Sequence, residues 1–548
     1  MTRRMNKLIS AMLFSWIGNV VSAPLGDRVH ELPLYGKPST PQYSGYLNGT
    51  DGCDTKTNGE FCLIHYWLAM SKKGIDAPVI LWLNGGPGSS SLFGFVEELG
   101  PLLINATGGL MDNPWSWTSV AHVFVMESPV GVGYSYCANQ LKGIVCKNTD
   151  KYTASTARAA IVSFFDKFPE LAKNDFFITG ESYAGVYIPT LAREIVDEAP
   201  HVNLVGLAVG DPCTDNDAQF NSFDSLWYGH KYGLVDDAVF DTLWNKCNLR
   251  IPTLLAKGRF HPSDDKFRKR SEEFTKMTPE CQLAYRKFLL SSSQGVSESW
   301  EDLYIDEYSL FAPVTNVEDD AMTAYLNRSD VREALHVTET PIVNWPDPTA
   351  GFDYTKQYDA CNDQPEPHAP SMIKFYNYLA PKLKRIWVYN GDTDPCVSYE
   401  GTRTAIKRVG FPEIDGGSYR PWFYNHTAAS LEVLKEKAVM FGPDLLAVPT
   451  GAQFGGEVVN FENNLSFLTV HGSGHMVPQF RPQAALHMIS KFVKMEHLAP
   501  LLPSNDTLSS VCTMGFNGMM KNWTEKAKKC PYVCDCCEED DIETEENK

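Results

Sequence analysis

The sequence has no excess of basic residues. Its 48 Lys and Arg are set against 67 Asp and Glu, a formal net charge of −19 at pH 7, which speaks against nucleic acid as the main partner and suits solution in an acidic or extracellular fluid. Beyond the first 23 residues it lacks any apolar run approaching the length of a bilayer span. It has no internal repeat, and with 43% hydrophobic and 12% aromatic residues a collagenous, coiled-coil or wholly disordered chain is excluded. What it does have is length: 548 residues suffice for a large enzyme domain with insertions and a sizeable core. Part of the negative charge is local, because Glu538 to Lys548 hold seven acids and one Lys, a solvated tail.

Arg3, Arg4 and Lys7 precede an apolar run from Leu8 to Val21 that ends in Val21-Ser22-Ala23. Residues 1–23 therefore read as a cleavable signal peptide, the run being short for a bilayer span. The mature protein is expected in the secretory pathway, lysosomal or extracellular, with no membrane span after cleavage. Seven Asn-x-Ser/Thr sequons, at Asn48, Asn105, Asn327, Asn425, Asn464, Asn505 and Asn522, become glycosylation candidates on that route. Fourteen cysteines in such a compartment point to disulfides, and the equal short spacings of Cys53 with Cys62 and Cys137 with Cys146 suggest two locally closed loops. The cluster Cys530, Cys534, Cys536 and Cys537 has the look of a zinc site, but no His lies nearby and the compartment is oxidising. No metal and no cofactor are expected.

Short β-branched or aromatic runs repeatedly end in Gly or Pro and give way to helical patterns. Val79 to Leu83, Val123 to Met126, Phe176 to Thr179, Leu204 to Val209, Arg385 to Tyr389 and Leu465 to Val470 read as strands; Ser155 to Phe168 and Ile188 to Glu198 read as helices. The alternation predicts an α/β protein with a mostly parallel central sheet covered by helices on both faces, whose sites lie at the carboxyl ends of strands. Residues 24–212 form the first part of this core and 325–500 the second. Between them, 213–324 turn helical and charged, which predicts a helical cap insertion whose basic run Lys266 to Arg270 is an exposed loop. Residues 501–548 are a Cys-rich and acidic extension.

The segment Asp175 to Gly185 carries the strongest chemical signal. A strand runs into Gly180-Glu181-Ser182-Tyr183-Ala184-Gly185 and then a helix, the context of a nucleophile elbow, although Ala184 stands where the second Gly of G-x-S-x-G would be. A structural turn is an equal reading of that motif alone. After later strands come Gly391-Asp392-Thr393-Asp394 and Gly472-Ser473-Gly474-His475, so Ser, Asp and His follow one another in the order of an α/β-hydrolase. This makes Ser182 the candidate nucleophile, His475 its general base and then acid, and Asp394 the carboxylate that orients the imidazole. Acyl transfer also needs donors for an oxyanion: the backbone N–H of Tyr183, and one from the loop Asn84-Gly85-Gly86-Pro87-Gly88, taken as Gly86. No Lys-Ser/Thr follows that loop, which sets aside a phosphate cradle.

Together with Glu127-Ser128-Pro129-Val130-Gly131-Val132-Gly133-Tyr134-Ser135, Tyr325-Leu326-Asn327-Arg328 and Gly474-His475-Met476-Val477-Pro478, these segments resemble the serine carboxypeptidase family, the group of carboxypeptidase Y and cathepsin A, from about Tyr43 to about Lys494. The resemblance implies an α/β-hydrolase fold and makes Asp394 rather than Asp392 the triad acid. It also implies that Asn84, Gly85, Glu98 and Glu181 bind the substrate's terminal carboxylate. Partners would be peptide or protein C-termini and no nucleic acid, with homodimerisation left open. The sequence departs from the family at Ser89, where many relatives carry a Cys bridged to the segment matching Tyr358 to Cys361. Cys361 is then expected either to bridge Cys396 or to be free. The stretch from about Tyr424 to Gly451 is also longer than the family carries.

The expected activity is that of a serine-type carboxypeptidase releasing C-terminal amino acids through an acyl-enzyme at acidic pH. Relatives also include acyltransferases that deacylate with an alcohol, and cathepsin A also protects partner glycosidases, so both remain as alternatives. Several relatives mature into two disulfide-linked chains, which makes Lys266 to Arg270 a candidate cleavage point.

Overall fold

The computed structural model describes residues 23–105, 107–220, 225–249, 277–291, 317–346, 352–361, 368–427 and 450–529. The segment 1–22, the basic run Lys266 to Arg270, residues 428–449 of the long stretch and the tail from Cys530 onward lie outside the described residues. Sixteen strands follow in chain order among the described residues: β1 (Arg28–Val29), β2 (Gln42–Asn48), β3 (Cys62–Ala69), β4 (Val79–Leu83), β5 (Leu102–Ile104), β6 (Leu110–Asp112), β7 (His122–Met126), β8 (Tyr136–Cys137), β9 (Cys146–Thr149), β10 (Phe176–Glu181), β11 (Leu204–Gly210), β12 (Phe352–Thr355), β13 (Arg385–Gly391), β14 (Arg420–His426), β15 (Gly451–Asn460) and β16 (Leu465–Val470).

One large sheet runs β1-β2-β3-β7-β4-β10-β11-β13-β16-β15-β14, with β8 added to β3. Its middle, from β7 to β16, is parallel, and the strands there are the six apolar runs expected from the sequence. They are buried along their length because helices cover both faces. Alternate residues of one strand serve opposite cores: Val79, Leu81 and Leu83 of β4 pack with the helices Asp150–Lys167, Ala184–Glu198 and Met372–Leu379. Ile80 and Trp82 pack with the helix Pro482–Val493. This is the two-residue period of a pleated strand.

Antiparallel arms that the sequence reading did not anticipate extend the sheet at both edges, β1-β2-β3 on one side and β15-β14 on the other. In β14 burial alternates residue by residue, as in a strand covered on one face only. The helix Ala184–Glu198 starts four residues earlier than expected, straight from the Ser182 turn, and holds Pro189 within it.

Cys53–Cys62 and Cys137–Cys146 close the two short loops as expected, and Cys247–Cys281 is a third bridge. Neither expectation for Cys361 holds, because it bridges Cys213. The reason is placement: the segment leading to Cys361 lies against the loop after β11, where Asn216 Nδ2 donates to Asp359 Oδ1 (2.6 Å) and Asn216 N to Asp359 O (3.3 Å). Cys396 instead follows Asp394 and turns its N–H to that carboxylate (2.7 Å).

Between β11 and β12 the helices Ser225–Lys231, Asp237–Asp241 and Pro279–Ser291 and the π-helical turn Thr242–Lys246 share a separate apolar cluster of Leu226, Val239, Leu243, Trp244, Tyr285 and Phe288. Among the described residues no helix is long and apolar enough to cross a membrane.

Candidate active site

Three parallel strands of the sheet, β10, β13 and β16, with β11 between the first two, deliver the Ser, Asp and His candidates from their carboxyl ends. β10 ends at Glu181, so Ser182 occupies the tight turn into the helix Ala184–Glu198. Its φ is 63°, a left-handed conformation that a non-glycine residue holds only when its surroundings enforce it. Here Ser182 N donates to Gly210 O (3.0 Å), and Ser182 O accepts from Gly185 N (2.9 Å) and Cys213 N (3.1 Å).

β13 leads to Asp394 and β16 to His475. The two loops meet because Gly391 has no side chain: a Cβ there would lie 2.2 Å from Gly474 O. His475 Nδ1 and Asp394 Oδ2 are 2.7 Å apart, and both residues are buried. Asp394 Oδ1 also accepts from Cys396 N. The loop is fixed from above and below: Thr393 donates through N (3.0 Å) and Oγ1 (2.8 Å) to Ser473 O, and Tyr228 of the helix Ser225–Lys231 donates to Thr393 O (3.0 Å). Asp392 points elsewhere, accepting from Gly472 N (2.7 Å) and pairing with His471 (2.8 Å).

The loop after β4 lies against the Ser182 turn. A Cβ on Gly85 would fall 2.3 Å from Tyr183 N and 2.8 Å from Ser182 Cβ, so glycine at that position is a requirement of close approach. Gly86 beside it has φ +105°. Tyr183 stands at the N-cap position of that helix, the end whose dipole favours negative charge, and its hydroxyl donates to the buried Asp150 (2.8 Å). The loop is tied to the sheet through Ser90, which hydrogen-bonds Glu127, itself paired with His65 (2.8 Å) and accepting from Trp345 Nε1 (2.8 Å).

Asn84, Glu98 and Glu181 form the second feature. Asn84 Oδ1 accepts from Trp82 Nε1 (2.9 Å) and Gly94 N (3.1 Å), which turns its Nδ2 toward Glu181 Oε1 (3.0 Å) and Glu98 Oε1 (3.2 Å). Glu98 sits on a π-helical turn, Gly94–Glu98, of a kind common at functional sites. Both carboxyls are buried, and Oε2 of each accepts from no donor among the described residues. Burial raises Glu98 to about 7, against the opposing pull of Asn84 and His475. Burial, then the Glu98 charge, raises Glu181 well above the usual carboxyl range. Two such groups share a proton.

Asp211, not singled out in the sequence, joins this cluster at the end of β11. Ligand-type atoms of Asp211, Asp394 and His475 lie within 4.8 Å of one another. That spacing could enclose a cation, but a cation there would displace the Nδ1 proton that Asp394 accepts from His475. The signal for Asp211 was the Gly210-Asp211-Pro212 strand end, the same strand-then-Gly-Asp pattern that marked Gly391-Asp392. Tyr228 had no comparable signal, since its contact crosses 165 residues of chain.

Among the sequon residues, Asn48, Asn464, Asn505 and Asn522 are exposed, while Asn105, Asn327 and Asn425 are half-buried. Asn327 has both ends of its amide engaged, donating to Thr323 O and Trp345 O and accepting from Trp345 N.

A family model described as serine carboxypeptidase matches residues 33–495. The chain is 30% identical over 530 residues to the lysosomal protective protein of Mus musculus, covering 90% of this chain and 98% of that protein. It is 30% identical over 522 residues to serine carboxypeptidase-like 20 of Arabidopsis thaliana, covering 86% and 94%. Among solved structures, Kex1(delta)p, a prohormone-processing carboxypeptidase from Saccharomyces cerevisiae, superposes with a TM-score of 0.58 at 20% identity, over 83% of this chain and 91% of that one, a likeness of fold.

Proposed function

The chain belongs to the serine carboxypeptidase family and is a serine-type carboxypeptidase, a hydrolase; on that footing we propose that it releases single amino acids from peptide C-termini through an acyl-enzyme formed on Ser182. The observation that carries this reading is the buried His475–Asp394 pair, 2.7 Å apart, at the carboxyl ends of parallel strands of the same sheet as the strained Ser182 turn. Ser182 Oγ attacks the last peptide carbonyl while His475 takes its proton; His475 then protonates the departing amine, and water releases the acyl group by the same steps in reverse. Asp394 holds the imidazole and offsets its transient charge.

Tyr183 N–H and the Gly86 loop receive the oxyanion. Gly85→Ala should push that loop off the Ser182 turn and lower kcat by about 10²-fold, as loss of an oxyanion donor does. Wild-type kcat in this variant would show that the loop takes no part.

Asn84, Gly85 and the Glu98–Glu181 pair receive the substrate's terminal carboxylate, with the shared proton serving as donor. Three anions cannot share a buried pocket. Both carboxyls are raised, Glu98 to about 7 and Glu181 well above the ordinary carboxyl range, so the shared proton is held in acid and lost as pH climbs; binding should weaken in that direction, mainly in KM. His475 must be neutral to act as base, which opposes activity at the acid end, so the optimum is a compromise between the two titrations. The test compares a peptide acid with its C-terminal amide across pH, in wild type and Glu98→Gln. Only the free acid should lose affinity as pH rises, and Gln should flatten the loss; an equal KM rise for both substrates, unchanged by Glu98→Gln, sinks this assignment.

The relative named lysosomal protective protein and the signal-like N-terminus support work in the secretory route, lysosomal or extracellular, with peptides or protein C-termini as partners. Two glutamates suited to a peptide's free carboxylate favour hydrolysis over acyl transfer to an alcohol.

A further inference from the structure

A buried carboxyl that the proposed mechanism does not use, Asp211, stands behind the acid of the triad. It begins the loop after β11 with φ 45°, a conformation Asp tolerates better than most residues, and its N–H donates to Tyr389 O (2.8 Å). Its two oxygens are not equivalent. Oδ1 accepts from Asn390 Nδ2 (2.9 Å) and Gly391 N (2.8 Å). Oδ2 is buried and accepts from no donor among the described residues, on a side chain whose ligand-type atom lies within 4.8 Å of those of Asp394 and His475.

We propose that Asp211 is a positioning residue of this triad, carrying a proton on Oδ2 that it donates to Asp394. The inference rests on the triad reading above. Two carboxylates in contact away from water cannot both be charged. Asp394 is the one that faces His475 Nδ1 and must stabilise the imidazolium, so the proton resides on Asp211. Oδ1 cannot hold it, since that oxygen already takes two donors; Oδ2 can. Burial first, then the Asp394 charge and the hydrogen bond between them, raise Asp211 well above the ordinary carboxyl range, with Gly391 N pulling the other way.

The groups around Asp211 are Asp394 from the loop after β13, Glu181 from the end of β10, the Tyr389 hydroxyl and Asn390 from β13, and His475 from the loop after β16. None is a cation unless His475 is protonated, so among the described residues only the hydrogen bonds donated to Oδ1 by Gly391 N and Asn390 Nδ2 favour an ionised Asp211. A donor on Asp394 spreads its charge and lessens its hold on an imidazolium, so His475 remains neutral, and a competent base, further into acid. A carboxylic acid serves an enzyme that works in acid; above the range where it keeps its proton, it would become a second anion beside His475.

Asp211→Asn and Asp211→Val separate these roles. Asn reproduces the acid's hydrogen bonds, Oδ1 accepting and Nδ2 donating to Asp394, at every pH; Val fills similar space and donates nothing. On a blocked dipeptide, Asp211→Asn should keep kcat within about threefold of wild type with its acid limb in place, a loss no larger than one hydrogen bond exchanged for another. Asp211→Val should move the acid limb of kcat/KM up by about one pH unit, a tenfold loss at fixed acid pH, with KM unchanged. In infrared difference spectra at acid pH, wild type minus Asp211→Asn should show the carbonyl stretch of one protonated carboxylic acid, and this reading needs only the Asn variant to fold.

Acid limbs of Asp211→Val and wild type that coincide overturn the proposal. So does an Asn variant displaced as far as Val, or a difference spectrum without that band. Fluorophosphonate labelling of wild type runs alongside: failure to label Ser182 removes the triad reading itself, whereas normal labelling with unmoved Asp211 variants removes only this inference.

Discussion

Ser182→Ala should lower kcat by roughly 10⁴–10⁶-fold, His475→Ala should fall into the same range, and combining the two should cost little more than either alone, because nucleophile and base act as one unit. A fluorophosphonate should label one site per wild-type chain and none in Ser182→Ala. The expectation follows from the turn. Ser182 is held at φ 63° by its hydrogen bonds to Gly210, Gly185 and Cys213, and alanine can occupy that backbone at similar strain, so the fold and the glutamate pocket should survive while the attacking oxygen is gone. Substrate binding measured with a peptide acid should therefore persist in Ser182→Ala. Full activity in this variant would end the proposal for the site.

The second large effect separates two neighbouring acids. Asp394→Asn should reduce kcat by about 10⁴-fold, since an amide facing His475 Nδ1 favours the wrong tautomer. Asp392→Asn should leave kcat near wild type. Its side chain serves Gly472 N and His471, so the cost should appear as stability, on the order of 1 kcal/mol, read from thermal unfolding. The reverse pattern of kinetic losses would exchange the two assignments.

The parallel middle of the sheet was legible because its strands are buried on both faces and therefore written as continuous apolar runs between Gly and Pro. The edges were not. β14 is covered on one side and alternates, while β15 contains Gly451, Gly455 and Gly456, residues that ordinarily argue against a strand. Gly455 lies where the β14–β15 register shifts, and its missing side chain leaves room for the Trp422 ring. The Ser, Asp and His candidates were each readable as a residue just beyond a strand, since chemistry at a strand's carboxyl end needs a short turn with a characteristic sequence. Asp211 stands at a strand end of the same kind, but the groups it faces, Asp394, Asn390 and Gly391, lie some 180 residues away in the chain, so that turn alone does not show what the carboxyl meets. The partner of Cys361 was also hidden: two cysteines 148 residues apart announce nothing by spacing, and only the docking of the Asp359 segment on the loop after β11 brings them together.

That bridge has a topological consequence. Cys213 and Cys361 bracket the whole helical insertion, and Cys247–Cys281 makes a smaller ring inside the first. Lys266 to Arg270 fall within both rings. Any single break of the backbone there leaves the two halves of the sheet tethered twice, so hydrolysis of that peptide bond cannot release either half, and each keeps its own strands of the central sheet in place: β4, β10 and β11 on one piece, β13 and β16 on the other. The nucleophile and its base would then belong to different polypeptides of one covalent molecule, separable in size only under reducing, denaturing conditions.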